Sequence, residues 1–154
     1  MAVVEAEPAP AVPVVPLGAD LLPQVAAIEA AVFPEPLDLD AVARLWARPA
    51  TRYVGVVEEG RLLAYFGFEV AGPTAHVISN ATHPSARRRG LASAVLRAGA
   101  EEAARLGGRW LLGEVRCSNA PQLAVLGHLG WRVVGLVPHF FGNGEDAYVV
   151  WCAI

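Results

Sequence analysis

Between residues 81 and 97 the chain reads ATHPSARRRGLASAVLR, in which Arg87, Arg88 and Arg89 run directly into Gly90. Three kinds of chemistry could use such a triplet: a basic patch on nucleic acid, a solvated charge run, or a loop that holds a phosphate. Val77 to Thr82 reads as a strand that His83-Pro84 ends, and a long helix starts near Gly90, so the arginines fall in a strand-to-helix loop. Such a loop presents unpaired main-chain N–H groups and the positive end of a helix dipole, which favour an anion. Gly90 and Ala92 keep side chains out of the way, so that an anion can approach the main chain.

The elements that must position this loop follow from hydrophobic period. A first strand begins near Val12. Asp20 can cap a helix in which Leu21, Leu22, Val25, Ala26, Ile28 and Val32 recur at helical spacing and which ends before Phe33-Pro34. A second short helix runs from Asp38 or Asp40 to Ala47. Residues 51–83 then give three β-rich runs separated by Glu59-Gly60 and by Ala71-Gly72-Pro73, an antiparallel meander. Gly90 to Leu106 is helical, with Leu91, Val95, Leu96, Gly99 and Ala103 on one side; Gly99 costs that helix about 1 kcal/mol against alanine, so a close packing neighbour is expected there. Trp110 to Val115 is a strand, Ala120 to Leu129 a helix, and Trp131 to Val137 and Glu145 to Cys152 the last two strands. The order β-α-α-β-β-β-α-β-α-β-β predicts a mixed α/β sheet with a meander first and a parallel β-α-β crossover later.

Composition narrows the function classes. A chain of 154 residues that is 55% hydrophobic and 18% charged fits one domain with a substantial core. Residues 1–11, rich in Ala, Pro and Glu, read as a flexible tail before a single domain spanning 12–154. All twelve cationic side chains are arginine, yet the net charge is −3, which argues against a nucleic-acid or anionic-membrane footprint and suits a cationic partner. The proline-broken start fails as a signal peptide and no apolar run is long enough to span a bilayer, so a cytoplasmic protein is expected. Cys117 and Cys152 are expected as free thiols.

Three blocks carry a family resemblance. Arg87-x-x-Gly90-x-Ala92, with a strand before it and a helix after it, resembles the Gln/Arg-x-x-Gly-x-Gly/Ala acyl-CoA loop of the GNAT superfamily of N-acetyltransferases. GEVRCSNAPQLAVLGHLGWRVVG resembles a later motif of that family, in which a strand ending Glu-Val-Arg-x-Ser-Asn leads into a helix. PHFFGNGEDAYVVW resembles the aromatic pair and last strand of the branch containing the bacterial ribosomal-protein-alanine acetyltransferases, and Ile28-Glu29 with Phe33-Pro34 fits the first helix of that branch. The resemblance implies a mainly antiparallel sheet of six to seven strands with about four helices and a parallel splay at the acyl-CoA site.

Roles implied by the resemblance fall on named positions. The backbone of Asn80, Ala81 and Thr82 matches the splayed strand that binds the pantetheine arm and offers an N–H to the thioester carbonyl, where negative charge develops. Arg87, Arg88, Arg89, Gly90, Leu91 and Ala92 match the pyrophosphate loop, and Asn119 an asparagine that contacts the cofactor. Glu114 matches the residue that deprotonates the incoming amine, with an exposed strand carboxylate or a partner for Arg116 as its other readings. His139, beside Phe140 and Phe141, could enter an acceptor cleft, with a structural place in an aromatic loop as its other reading; the phenylalanines replace two tyrosines of the ribosomal-protein-modifying branch.

Seven residues after Asn119, where family members commonly carry a tyrosine that protonates the departing thiolate, this chain has Leu126, which cannot donate a proton. Three accounts stay open: water or the amine supplies the proton, another residue substitutes, or catalysis is lost. The implied activity is transfer of an acetyl group from acetyl-CoA to a primary amine by direct attack in a ternary complex, without a metal and in a monomer or homodimer. The acceptor is a protein N-terminus or lysine, or a small amine. The alternative is a non-catalytic acyl-CoA-binding module.

Overall fold

The structure is a computed structural model that describes residues 12–154; the flexible tail expected over residues 1–11 lies outside the described residues. One seven-stranded sheet organises the chain, in the order β1-β2-β3-β4-β5-β7-β6. Its strands are β1 (Val15–Pro16), β2 (Thr51–Glu58), β3 (Arg61–Ala71), β4 (Thr74–Thr82), β5 (Trp110–Arg116), β6 (Arg132–Val137) and β7 (Ala147–Ala153). The helices are α1 (Leu22–Val32), α2 (Leu39–Trp46), α3 (Leu91–Arg105) and α4 (Ala120–His128). All neighbouring strands run antiparallel except β4 and β5, which α3 joins as a parallel crossover.

Local chemistry explains most boundaries. Asp38 caps α2 by accepting from the Ala41 N–H at 2.8 Å. Gly90 precedes α3 at φ +73°, a left-handed conformation that glycine adopts without steric cost. Asp20 does not cap α1: it sits in a 3₁₀ turn over Ala19–Leu21, and Leu21 precedes α1 with no side-chain cap. The turn continues into the helix and Pro23 in its first turn has no N–H to satisfy, so a capping oxygen has less to do there. The first strand is also shorter and later than the sequence suggests, two residues paired to Gly55 and Val54.

Two cores flank the sheet. On one face α3 and α4 bring Leu91, Val95, Leu96, Ala103 and Leu126 against Val54, Phe66 and Phe68. On the other, α1 and α2 set Leu22, Val25, Ile28 and Val42 against Tyr53, Leu62 and Tyr65. Gly99 has the close neighbour its place in α3 demands, because a Cβ there would overlap the fully buried Phe66 ring.

The feature that shapes the site is where β4 and β5 part. Their rungs are Thr74↔Trp110, Ala75↔Leu111 and His76↔Leu112, and beyond these β5 pairs only with β7. At the same level β4 gains a bulge against β3, since Gly67 faces Ser79 while Phe68 faces Val77. The extra residue, Ile78, bends the strand as bulges do and turns its second half away from β5.

Candidate active site

The parted strands open into a cleft of about 790 Å³. Its floor comes from His76 to Asn80 of β4 and Glu114 to Arg116 of β5, with Asn119 and Gln122 at the start of α4. The α1–α2 loop contributes Phe33, Glu35 and Leu37, and the β6–β7 loop contributes Phe140, Phe141 and Gly142.

Glu114 is held by a residue that sequence reasoning passed over. His76 Nε2 lies 2.9 Å from Glu114 Oε1 and 3.0 Å from Oε2, across the last paired stretch of β4 and β5. The carboxylate raises the imidazole pKa above its usual 6.5, and its hydrogen bond outweighs the opposing effect of burial. Glu114 therefore does not pair with Arg116. Arg116 crosses to the other side of the cleft, its side chain 10% exposed.

Arg116 joins the α1–α2 loop to the β6–β7 loop. Its guanidinium donates to Glu35 Oε1 at 2.7 Å, to Asn143 Oδ1 at 3.0 Å and to Glu145 Oε1 at 3.2 Å, and lies 4.0 Å over the Phe141 ring. The Asn143 N–H also donates to Glu35 Oε1 at 3.2 Å. Glu35 and Glu145 both have pKa values below the usual carboxylate range: for Glu35 the hydrogen bond from Arg116 is the main cause, for Glu145 the hydrogen bonds from Ser118 come first. His139 is not among the cleft-lining residues; its Nδ1 stands 3.0 Å from the Gly144 carbonyl oxygen on the exposed side of the hairpin.

At the crevice mouth α4 reaches β4, as Gln122 Nε2 donates to Asn80 Oδ1 at 2.8 Å. Asn119 caps α4 by accepting from the Gln122 N–H, which leaves its Nδ2 without a partner among the described residues. Thr82 Oγ1 is buried and has no hydrogen-bond partner among the described residues. Leu126 packs into the core at 3% exposure, so its position supplies no polar group to the cleft.

The arginine loop splits in use. Arg89 pairs with Glu58 at 2.5 Å, whereas Arg87 and Arg88 make no ion pair among the described residues. Arg88 and Gly90 both have positive φ, 64° and 73°. No main-chain N–H from Arg87 to Ala92 donates a hydrogen bond among the described residues, and nothing lies within 4 Å of where a Gly90 Cβ would stand. The turn thus offers a run of free donors around an open space at the start of a fifteen-residue helix.

The sequence pattern of the acetyltransferase (GNAT) family matches residues 22–131, which takes in α1, the arginine loop, the β4–β5 crevice and α4. The chain belongs to the GNAT family. A curated N-alpha-acetyltransferase of Sulfurisphaera tokodaii is 33% identical over 76 residues, which cover 49% of this chain and 46% of that relative. The matched stretch thus spans under half of the relative's length.

Solved structures show the same GNAT fold over nearly the whole chain. The ribosomal-protein-S18-alanine N-acetyltransferase of Escherichia coli superposes with a TM-score of 0.83 at 24% identity, covering 92% of this chain and 93% of that one. Ard1 of Thermoplasma volcanium gives 0.84 at 16% identity, covering 92% and 97%. NAA60 of Arabidopsis thaliana, solved in complex with acetyl-CoA, gives 0.83 at 14% identity, again covering 92% and 97%. Among the described residues no helix is long and apolar enough to cross a membrane.

Proposed function

We propose that this GNAT protein is an N-acetyltransferase that uses acetyl-CoA and a primary amine together in a ternary complex. The observation that carries the reading is the His76–Glu114 pair on the floor of a cleft that opens where β4 and β5 part. Acetyl-CoA supplies the acyl group as a thioester. The free amides of Arg87 to Ala92 suit its pyrophosphate, and Arg87 and Arg88 add positive charge there. The main chain of the Asn80–Thr82 stretch and the free Asn119 amide suit the pantetheine arm.

Only a neutral amine attacks a thioester, and free α-amines and lysine amines have pKa values of about 7.7–8.0 and 10.4. His76 and Glu114 together take that proton: the carboxylate fixes and polarises the imidazole, whose pKa it raises toward that of an α-amine. The amine nitrogen bonds to the carbonyl carbon, the C–S bond breaks, and the sulfur leaves with its electron pair. A main-chain N–H of β4 meets the oxygen as charge collects on it. Because Leu126 is buried and apolar, the thiolate takes its proton from water or takes the N–H proton that the attacking nitrogen sheds as the amide forms. Thiolates leave without obligatory acid assistance, since free thiol pKa values are only about 8.5.

The acceptor is the N-terminus or a lysine of a protein, or a small amine; net charge −3 suits any such cation. We place the protein in the cytoplasm as a monomer or homodimer, acting apart from nucleic acid. Release of CoA thiol over a panel of peptides and small amines tests the reading. Leu126 also favours a second one, a non-catalytic acyl-CoA-binding module, which requires binding without thiol release across the whole panel.

A further inference from the structure

Glu29 of α1 is 2% exposed, and no cationic side chain bonds to it among the described residues. Its Oε1 accepts from the Tyr65 hydroxyl at 2.5 Å and from the Ser79 hydroxyl, and its Oε2 accepts from the Leu37 N–H at 3.3 Å. A buried carboxyl group without a cation is a costly way to join an α1–α2 loop to two strands, because its three hydrogen bonds must offset its loss of solvation. What Glu29 does beyond stability is therefore to be sought in what it touches.

Ser79 is the residue at which β4 resumes pairing with β3 after the Ile78 bulge, three residues past the last rung to β5 at His76. A bulge leaves backbone slack, so the direction of the next residues depends on what holds them. Ser79 is gripped by Glu29 from the α1 face of the sheet, its hydroxyl also lying 3.0 Å from that of Tyr65, and its neighbour Asn80 is gripped by Gln122 from the α4 face. We infer that Glu29 is a positioning residue: through Ser79 it fixes the aim of the β4 segment 79–82. The consequence for catalysis rests on the acetyl-transfer reading, in which that segment presents an N–H to the thioester oxygen.

Ser79→Ala removes the grip while leaving Tyr65 and Leu37 on Glu29, and Ser79→Thr restores a hydroxyl. In the ligand-free protein, amide exchange at residues 78–82 is expected to rise about tenfold in Ser79→Ala, with β2 unchanged and protection regained in Ser79→Thr. In turnover, kcat is expected to fall about tenfold or more, and acetyl-CoA Kd to weaken by less than that, because the pyrophosphate loop is untouched while the pantetheine segment loosens. Glu29→Gln, which keeps one acceptor oxygen, should give a smaller loss, and adding Ser79→Ala to it should give no further full loss. Unchanged exchange in Ser79→Ala, or fully additive losses in the double variant, would overturn the inference. A wild type without turnover would sink acetyl transfer instead, and the exchange comparison would still decide the role of Glu29.

Discussion

His76 on β4 and Glu114 on β5 meet at 2.9 Å, although Glu114 lies two residues beyond Leu112, the last rung partner of His76. The two strands thus stay close enough to share a hydrogen bond while their backbones have begun to part. The pair marks the level at which paired sheet becomes open cleft.

That pairing sets a pH dependence. The base-competent form has His76 neutral, so turnover should climb as pH rises through an apparent pKa above 6.5, the direction in which Glu114 moves it. Glu114→Gln removes the carboxylate charge and should shift the rising limb to lower pH, while cutting the plateau by roughly a hundredfold or more. Kinetics from pH 5 to 9, with the His76 titration followed by NMR, checks both; an unmoved limb in Glu114→Gln would separate the two residues.

At the arginine loop, backbone rather than side-chain capture should govern affinity. Arg87→Ala is expected to weaken acetyl-CoA binding by less than about tenfold, the scale of one exposed charge contact. Gly90→Val forces a β-branched residue to φ +73° and fills the open space before α3, so binding should fall by well over tenfold. Calorimetric titration compares the two, and a larger loss for Arg87→Ala would make the guanidinium the main anchor.

Gly99 tests packing against propensity. Alanine there gains about 1 kcal/mol of helix propensity, but its methyl must enter the space of the Phe66 ring, which is fully buried and stands against Phe68. Overpacking of that kind costs roughly 1–3 kcal/mol. Gly99→Ala should therefore lower the urea midpoint rather than raise it.

On the acetyl-transfer reading, Arg116 should matter to the acceptor more than to acetyl-CoA, since it joins the α1–α2 and β6–β7 loops and does not touch the arginine loop. Arg116→Met is expected to raise the acceptor KM severalfold with little change in acetyl-CoA Kd. The joined loops should also be acid-sensitive. Glu35 and Glu145 have depressed pKa values, so their contribution is present above the unfolded value of 4.5 and is lost as pH falls below it through the folded values. Thermal melts between pH 3 and 6 should show a steeper acid loss for wild type than for Arg116→Met.

Much of this architecture is legible in residue order because it depends on neighbours in sequence. The 3.6-residue period of Leu91, Val95, Leu96, Gly99 and Ala103 declares α3, and Gly90 marks its start. The clash behind Gly99 is legible as a helix breaker kept where it is locally unfavourable. What sequence order conceals are partners far apart along the chain: His76 with Glu114, Glu29 with Ser79 and Glu35 with Arg116 are 38, 50 and 81 residues apart. No periodicity relates such residues, because the crossover through α3 and the folding of the loops bring them together. His76 reads in sequence as an ordinary strand residue until the β4–β5 register sets it beside a carboxylate.

The single parallel seam has a kinetic consequence. β2, β3 and β4 are linked by tight turns and can zip as a local meander, whereas the rung His76↔Leu112 must wait for the whole of α3 to close a long loop. The crevice should therefore be completed late on the folding pathway and be among the first parts to open. Refolding with acetyl-CoA present should slow unfolding more than it speeds folding, because the ligand meets its site only after the barrier has been crossed.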